Sequence, residues 1–181
     1  MIEIRWHGRG GQGAVTSVEL LAVAAIEEGK FAQGFPSFGP ERRGAPVAAF
    51  NRVDTKRIKS RAGIYKPDVV AVLDESLIDL VNVVEGLKPQ GILIVNTQKT
   101  AGQIAKATGF KGHIGVVDAR GIAMHEMGVS IANTTMIGAL IKATGVVTMD
   151  AMKSPIDHRF GRIADKNMNA MTRAYNEIKI S

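Results

Sequence analysis

The sequence predicts an α/β fold: one domain over residues 1–181, with a mostly parallel, Rossmann-like sheet flanked by helices and a helical C-terminal third. Three observations predict it. Short apolar runs alternate with helix-patterned stretches from Ile2 to Ala119. Two of those runs, DVVAVLD (68–74) and GILIVNT (91–97), are apolar on both faces, as central parallel strands are. A glycine cluster, GRGGQG (8–13), falls between a strand-like run and a helix-like one, as in nucleotide-binding βα units.

In chain order, Ile2 to Trp6 alternates as a strand does. After the glycines, Val15, Val18, Leu21, Ala22, Ala25 and Ile26 recur at helical spacing and form one apolar stripe, which Gly29 is placed to end. KFAQGFPSFGPERRGAP (30–46) breaks every periodicity with Gly and Pro and reads as a loop of 17 residues. So long a loop in a compact domain usually carries function. VAAFNRV (47–53) reads as a strand, and residues 75–86 as a helix with Leu77, Leu80, Val81 and Val84 on one side. TAGQIAKATG (100–109) is a short helix and IGVVDA (114–119) another strand. NTTMIGALIKATG (133–145) opens a helix with an N-cap candidate at Asn133 or Thr134. Residues 163–179 form a last helix, whose Ala164, Met168, Met171, Tyr175 and Ile178 suit a core or a covered neighbour better than a cofactor.

Composition excludes several classes. With 45% hydrophobic and 22% charged residues the chain builds a core rather than staying disordered. It has no cysteine, so it supplies no disulfide and no thiolate for zinc or an iron–sulfur cluster. The four histidines, His7, His113, His125 and His158, have no metal-ligand spacing, and no nucleophile–base arrangement stands out, so no catalytic residue is named. His7 lies beside the glycines, where a backbone-bonded strand-end role competes with a polar contact. No apolar run reaches the roughly 20 residues that cross a bilayer. MIEIRW lacks the start of a secretory signal, and a cytoplasmic location is expected.

The net charge of +6 is local. Eight basic residues from Arg42 to Lys66 face only Asp54, which gives that window +7 and leaves −1 for the rest. Phosphates, an acidic protein or water can each meet such a strip, and RVDTKRIKSRAG also reads as a guarded strand edge. The window has few aromatics, only Phe50 and Tyr65, so stacking on single-stranded nucleic acid has little support.

Gly8-Arg9-Gly10-Gly11-Gln12-Gly13 satisfies G-x-G-x-x-G. Such glycines let bare N–H groups approach an anion at the positive end of a helix. The usual companion, an acidic residue about 20 positions on that holds a ribose, is missing: FAQGFPSFG has none before Glu41. NAD binding in the Rossmann manner is therefore disfavoured. Either the glycines only allow close strand–helix packing, or the loop meets a phosphate or another chain, with Arg9 adding a cation and Gln12 an amide.

The second constellation is FPSFGPERRGAPVAAFNR (35–52). Its prolines and glycines stiffen a surface loop, which suits recognition. Phe38 offers a ring, and adjacent Arg42 and Arg43 point opposite ways in an extended segment. One of them can hold Glu41 while the other stays available to a partner or phosphate.

HGRGGQGAVTSVELLA followed by FPSFGPERRGAPVAAFNRV closely resembles the gamma subunit of 2-oxoacid:ferredoxin oxidoreductases, in particular the pyruvate-converting ones, and the resemblance continues through KPDVVAVLDESL, GILIVNT and NTTMIGALIKATG. It implies a thiamine-diphosphate-dependent enzyme, with Mg²⁺ and iron–sulfur clusters on other subunits, that interconverts pyruvate, coenzyme A and oxidised ferredoxin with acetyl-CoA, CO2 and reduced ferredoxin. The chain itself then holds no cofactor, works with alpha, beta and delta subunits and, through them, ferredoxin, and is inactive alone. Gly8–Gly13, Phe38, Glu41, Arg42, Arg43, Asn133 and Thr134 are the residues expected to meet coenzyme A or a neighbouring subunit, with capping the simpler role for the last two. Neither nucleic acid nor membrane is an expected partner. Isolated, the chain is open to homodimer formation through its Met-rich helix and basic strip. A gamma subunit of a 2-ketoisovalerate or 2-oxoglutarate enzyme, one gamma chain shared by two enzymes, and a free-standing nucleotide-binding protein remain alternatives.

Overall fold

The computed structural model describes residues 1–37 and 43–181. β1 (Ile2–Arg9) runs three residues past the alternation that marks it in the sequence. Ladders on both sides carry it on: Arg9 stands opposite Pro46 of β3 (Pro46–Asp54), and His7 opposite Val72 of β4 (Val69–Val72). With β2 (Phe31–Pro36), β5 (Ile92–Asn96), β6 (His113–Val117) and β7 (Lys179–Ile180) they form one sheet in the order β2-β3-β1-β4-β5-β6-β7. The central strands β1, β4, β5 and β6 are parallel. Antiparallel β3 and β2 complete one side and β7 the other, so the parallel centre expected from the apolar runs sits inside a mixed sheet.

Both faces of that centre are covered. Ile4, Trp6, Ala71 and Ile94 lie under α1 (Ala14–Glu27), α3 (Ala119–Met127), α4 (Asn133–Thr144), α5 (Lys153–Phe160) and α6 (Ala164–Glu177). Val70, Val72, Leu93 and Val95 face α2 (Ala101–Thr108) and residues 75–87. Trp6 is fully buried, yet its indole N–H donates to Asn51 Oδ1 at 3.0 Å. Asn51 in turn donates to the Val18 carbonyl at 2.9 Å. This polar thread fixes β1, β3 and α1 relative to one another without leaving a buried donor unmet.

The helix stripe after the glycines is shifted. Ala14, Ser17, Val18, Leu21, Ala24 and Ala25 face the sheet, whereas Ile26, assigned to the stripe from its spacing, is 56% exposed. Gly29, at φ 79°, ends α1 as expected. The 17-residue loop is shorter than the sequence suggests, because its first part is the edge strand β2. Gly34 and Pro36 read as breakers, but an edge strand tolerates both. Residues 38–42, with Phe38, Glu41 and Arg42, lie outside the described residues.

No α-helix forms over 75–86. A single 3-10 turn (Glu75–Leu77) is followed by further turns, and the carbonyls of Val83 and Glu85 accept hydrogen bonds from buried Arg5 at 3.0 and 2.6 Å. A tertiary guanidinium thus overrides the local helical pattern. α3, which no periodicity announced, is started by Asp118, whose carboxylate accepts from the Gly121 N–H at 2.8 Å. α6 packs its Met face inward: Met171 is fully buried, and Gly138 of α4 meets that helix so closely that a side chain there would strike the Met171 backbone. The Met-rich face is therefore taken up within the chain. No helix among the described residues is long and apolar enough to cross a membrane.

Candidate functional site

β1 connects toward β2 and β3 on one side, whereas β4 connects toward β5 on the other. A crevice opens where these directions part, at the carboxyl ends of β1 and β4. The glycine loop lies there. Gly11, Gln12, Leu73, Arg120 and the segment Ser130–Asn133 line a cavity of about 240 Å³, and a wider polar hollow of about 580 Å³ continues past Asn96, Lys99 and Arg120.

The side chains of the loop are committed inward. Gln12 Oε1 accepts from the Arg9 N–H at 2.8 Å, and its Nε2 donates to Asp74 at 2.7 Å. Arg9 reaches the same carboxylate at 3.4 Å, the Ser76 hydroxyl at 2.7 Å and the Gly44 carbonyl at 3.0 Å. Arg120 stands 3.8 Å from Asp74. Ser76 donates to the other Asp74 oxygen from its N–H and its hydroxyl, at 3.1 and 2.6 Å. Burial alone would raise the Asp74 pKa. The bonds from Ser76 and Gln12 and the Arg120 charge outweigh it and hold the carboxyl below its ordinary range. The cation and amide expected to greet a ligand from the glycine loop are thus occupied in holding three loops together.

Two more expected residues meet the loop. Gly10 and Arg43 form a parallel bridge, with the Gly10 N–H donating to the Ala45 carbonyl at 2.9 Å and the Gly44 N–H to the Gly10 carbonyl at 3.0 Å. Arg43 is exposed at this rim. Asn133 and Thr134 are not caps: α4 begins after Ala132, and both lie buried in its first turn. Asn133 Nδ2 donates to the Gly13 carbonyl at 3.4 Å, and Thr134 donates to Asn167 at 2.8 Å. Distant partners have displaced the local capping bond. Gly13 takes φ 82°, and a Cβ there would sit 2.9 Å from Asn133 Cγ, so backbone geometry and packing both require glycine.

Asp74, Ser76, Asn96 and Arg120 were not anticipated. Asn96 accepts from the Arg120 N–H at 3.1 Å and donates to the Leu73 carbonyl at 2.9 Å, which ties the ends of β4, β5 and β6. One signal was available: Asp74 is the first polar residue after a wholly apolar strand, the position where α/β sheets place their ligand groups.

His7 is not among the residues that line the crevice, and its Nε2 is buried with no partner among the described residues. Burial, and secondarily the Arg5 charge, push its pKa down to about 4. Between pH 6.5 and 4 the unfolded chain gains a proton that the folded chain refuses, so stability falls as pH drops through that window. Between pH 7 and 4 the protein is expected to lose about 3 kcal/mol more than His7→Gln. Urea unfolding across pH checks this; parallel profiles would refute it.

A seven-stranded Rossmann-like sheet with a glycine turn and a polar crevice at its switch point defines an α/β domain whose crevice lies at the sheet end where such folds place their ligand groups. The model of the pyruvate ferredoxin/flavodoxin oxidoreductase family matches residues 3–177. Pyruvate/ketoisovalerate oxidoreductases common subunit gamma of Thermococcus kodakarensis is 51% identical over 179 residues, 98% of this chain and 97% of the relative. Pyruvate synthase subunit PorC of Thermotoga maritima is 47% identical over 184 residues, 99% of this chain and 95% of the relative. The crystal structure of the pyruvate oxidoreductase subunit PorC from Thermotoga maritima superposes with a TM-score of 0.90 at 46% identity, covering 99% of this chain and 98% of that one. The gamma subunit of a keto/oxoacid ferredoxin oxidoreductase from Geobacter sulfurreducens shares the fold, with a TM-score of 0.76 at 24% identity over 97% of both chains. The chain belongs to the pyruvate ferredoxin/flavodoxin oxidoreductase family, as a gamma-type subunit.

Proposed function

We propose that residues 1–181 act as one gamma-type domain of a thiamine-diphosphate-dependent pyruvate:ferredoxin oxidoreductase, which interconverts pyruvate, coenzyme A and oxidised ferredoxin with acetyl-CoA, CO2 and reduced ferredoxin. The chain closes over the catalytic subunits and contributes to the coenzyme A channel and to assembly. One observation carries this reading: the Gly10–Arg43 bridge joins the glycine loop to the arginine segment, so that the glycine turn and an exposed cation share one rim of the carboxyl-end crevice. Because Arg9 and Gln12 are spent on Asp74, the charge offered to coenzyme A phosphates comes from Arg43 and its neighbour Arg42, and Arg9 acts by fixing the rim.

The donor set does not fit a resident metal or cluster. The sequence has no thiolate, and no group of three His, Asp or Glu among the described residues is placed to hold an ion. Thiamine diphosphate, Mg²⁺ and clusters belong to the alpha, beta and delta partners in this reading, as does contact with ferredoxin. The complex works in the cytoplasm, without nucleic acid or membrane as partner. The names of the relatives favour a second reading as well: one gamma chain serving a pyruvate and a ketoisovalerate enzyme.

Arg42→Ala/Arg43→Ala in the assembled enzyme is expected to raise the KM for coenzyme A about tenfold or more while leaving the KM for pyruvate unchanged, the size of one lost charge-assisted phosphate contact. Steady-state ferredoxin reduction at varied coenzyme A measures it. An assembled variant with unaltered coenzyme A kinetics would remove the site.

A further inference from the structure

We infer that the loop of residues 55–66 is a docking surface for a carboxylate-rich face of a companion subunit, separate from the carboxyl-end crevice. The inference rests on the gamma-subunit reading. It begins with position. The loop leaves β3 at Asp54, beside the start of β1, whereas the glycine loop leaves β1 at its other end. Eight strand residues separate the two, about 25 Å. The cationic loop therefore does not share a ligand with the crevice.

Its charges are also available. Lys56, Arg57, Lys59, Arg61 and Lys66 are exposed, and none has an ion pair among the described residues. The nearby carboxylates are engaged elsewhere: Asp54 by the N-terminal ammonium at 3.4 Å and the Lys56 N–H at 3.2 Å, Asp68 by Lys88 at 2.6 Å and Glu3 by Arg52 at 2.8 Å.

The backbone that carries these charges is held in one shape. Arg52, 2% exposed, donates to the carbonyls of Ala62 at 2.7 Å and Gly63 at 3.2 Å and pairs with Glu3 at 2.8 Å. Gln33 donates to the Ser60 carbonyl at 3.1 Å. A hollow of about 320 Å³ opens between Arg57, Lys59 and Arg61, wide enough for carboxylate side chains to enter. A preformed cationic surface loses little entropy when it meets a complementary one. A second copy presenting the same loop is repelled. Tyr65 is the one aromatic between 55 and 66, too little for a stacking platform on nucleic acid.

Carbodiimide cross-linking of the intact oxidoreductase, which joins lysine to carboxylate without a spacer, tests the inference. Links from Lys56, Lys59 or Lys66 to Asp or Glu of a companion subunit are expected. In native mass spectrometry, Lys56→Glu/Arg57→Glu/Lys59→Glu/Arg61→Glu is expected to release this chain at less than half the salt concentration that releases the unaltered one. Unlinked lysines with an unchanged salt threshold overturn the inference, as do links to ferredoxin alone or a loop that instead binds nucleic acid or anionic vesicles. Failure to co-purify with any oxidoreductase subunit overturns the gamma reading as well; co-purification with unlinked lysines and an unchanged salt threshold overturns the docking surface alone.

Discussion

Gly13→Ala is expected to cost about 3 kcal/mol of folding stability, lowering the thermal midpoint by roughly 6–12 °C for a chain of this size. Two separable effects add. A side chain at φ 82° carries about 1 kcal/mol of backbone strain. The new methyl also collides with the Asn133 side chain, which lies against the turn. Asn133→Ala in the same chain removes the side-chain atoms nearest the new methyl, keeps the Cβ that would sit 3.2 Å away and leaves the strain, so the double variant should recover about half of the loss. Urea unfolding of the four proteins in this cycle measures both parts. Additive losses, with no recovery, would show that α4 does not hold the turn through Asn133.

The second large effect centres on Asp74. Asp74→Ala strips Gln12, Arg9, Ser76 and Arg120 of their shared acceptor and leaves two guanidinium groups facing a space without a counter-charge. A loss of about 2–4 kcal/mol is expected, together with a loosened rim and a higher KM for coenzyme A in the assembled enzyme. Asp74 is a positioning residue in this account, so kcat at saturating coenzyme A should change little. Its folded pKa is depressed, so its contribution is present above the unfolded value near 4 and fades as pH falls through the folded one. The gap in stability between the native protein and Asp74→Asn should therefore close below about pH 4. A gap that stays constant to pH 2 would mean that the carboxylate charge does not organise the loops.

The legibility of this molecule from its residues varied with how local the determining forces were. β4 and β5 were legible because strands buried on both faces must be apolar throughout, and α2 because Thr100 and Gln103 form a local capping box. β2 was not, since its strand character comes from pairing with β3 rather than from its own Gly- and Pro-containing sequence. The turns over 75–86 depend on Arg5, some 80 positions away in the chain. The same distinction runs through the site. Glycines announce themselves by pattern, but Arg9 and Gln12 looked free only because their acceptor, Asp74, lies more than 60 positions further on. Asn133 looked like a cap because its bond to Gly13 spans 120 positions.

Ferredoxin reduction by the companion subunits, assayed with and without this chain, tests the central claim most directly. The account predicts that pyruvate- and coenzyme A-dependent reduction requires stoichiometric addition of the chain, and that the chain alone reduces nothing. Full coenzyme A-dependent turnover by companions lacking it, with an unaltered KM for coenzyme A, would contradict the account.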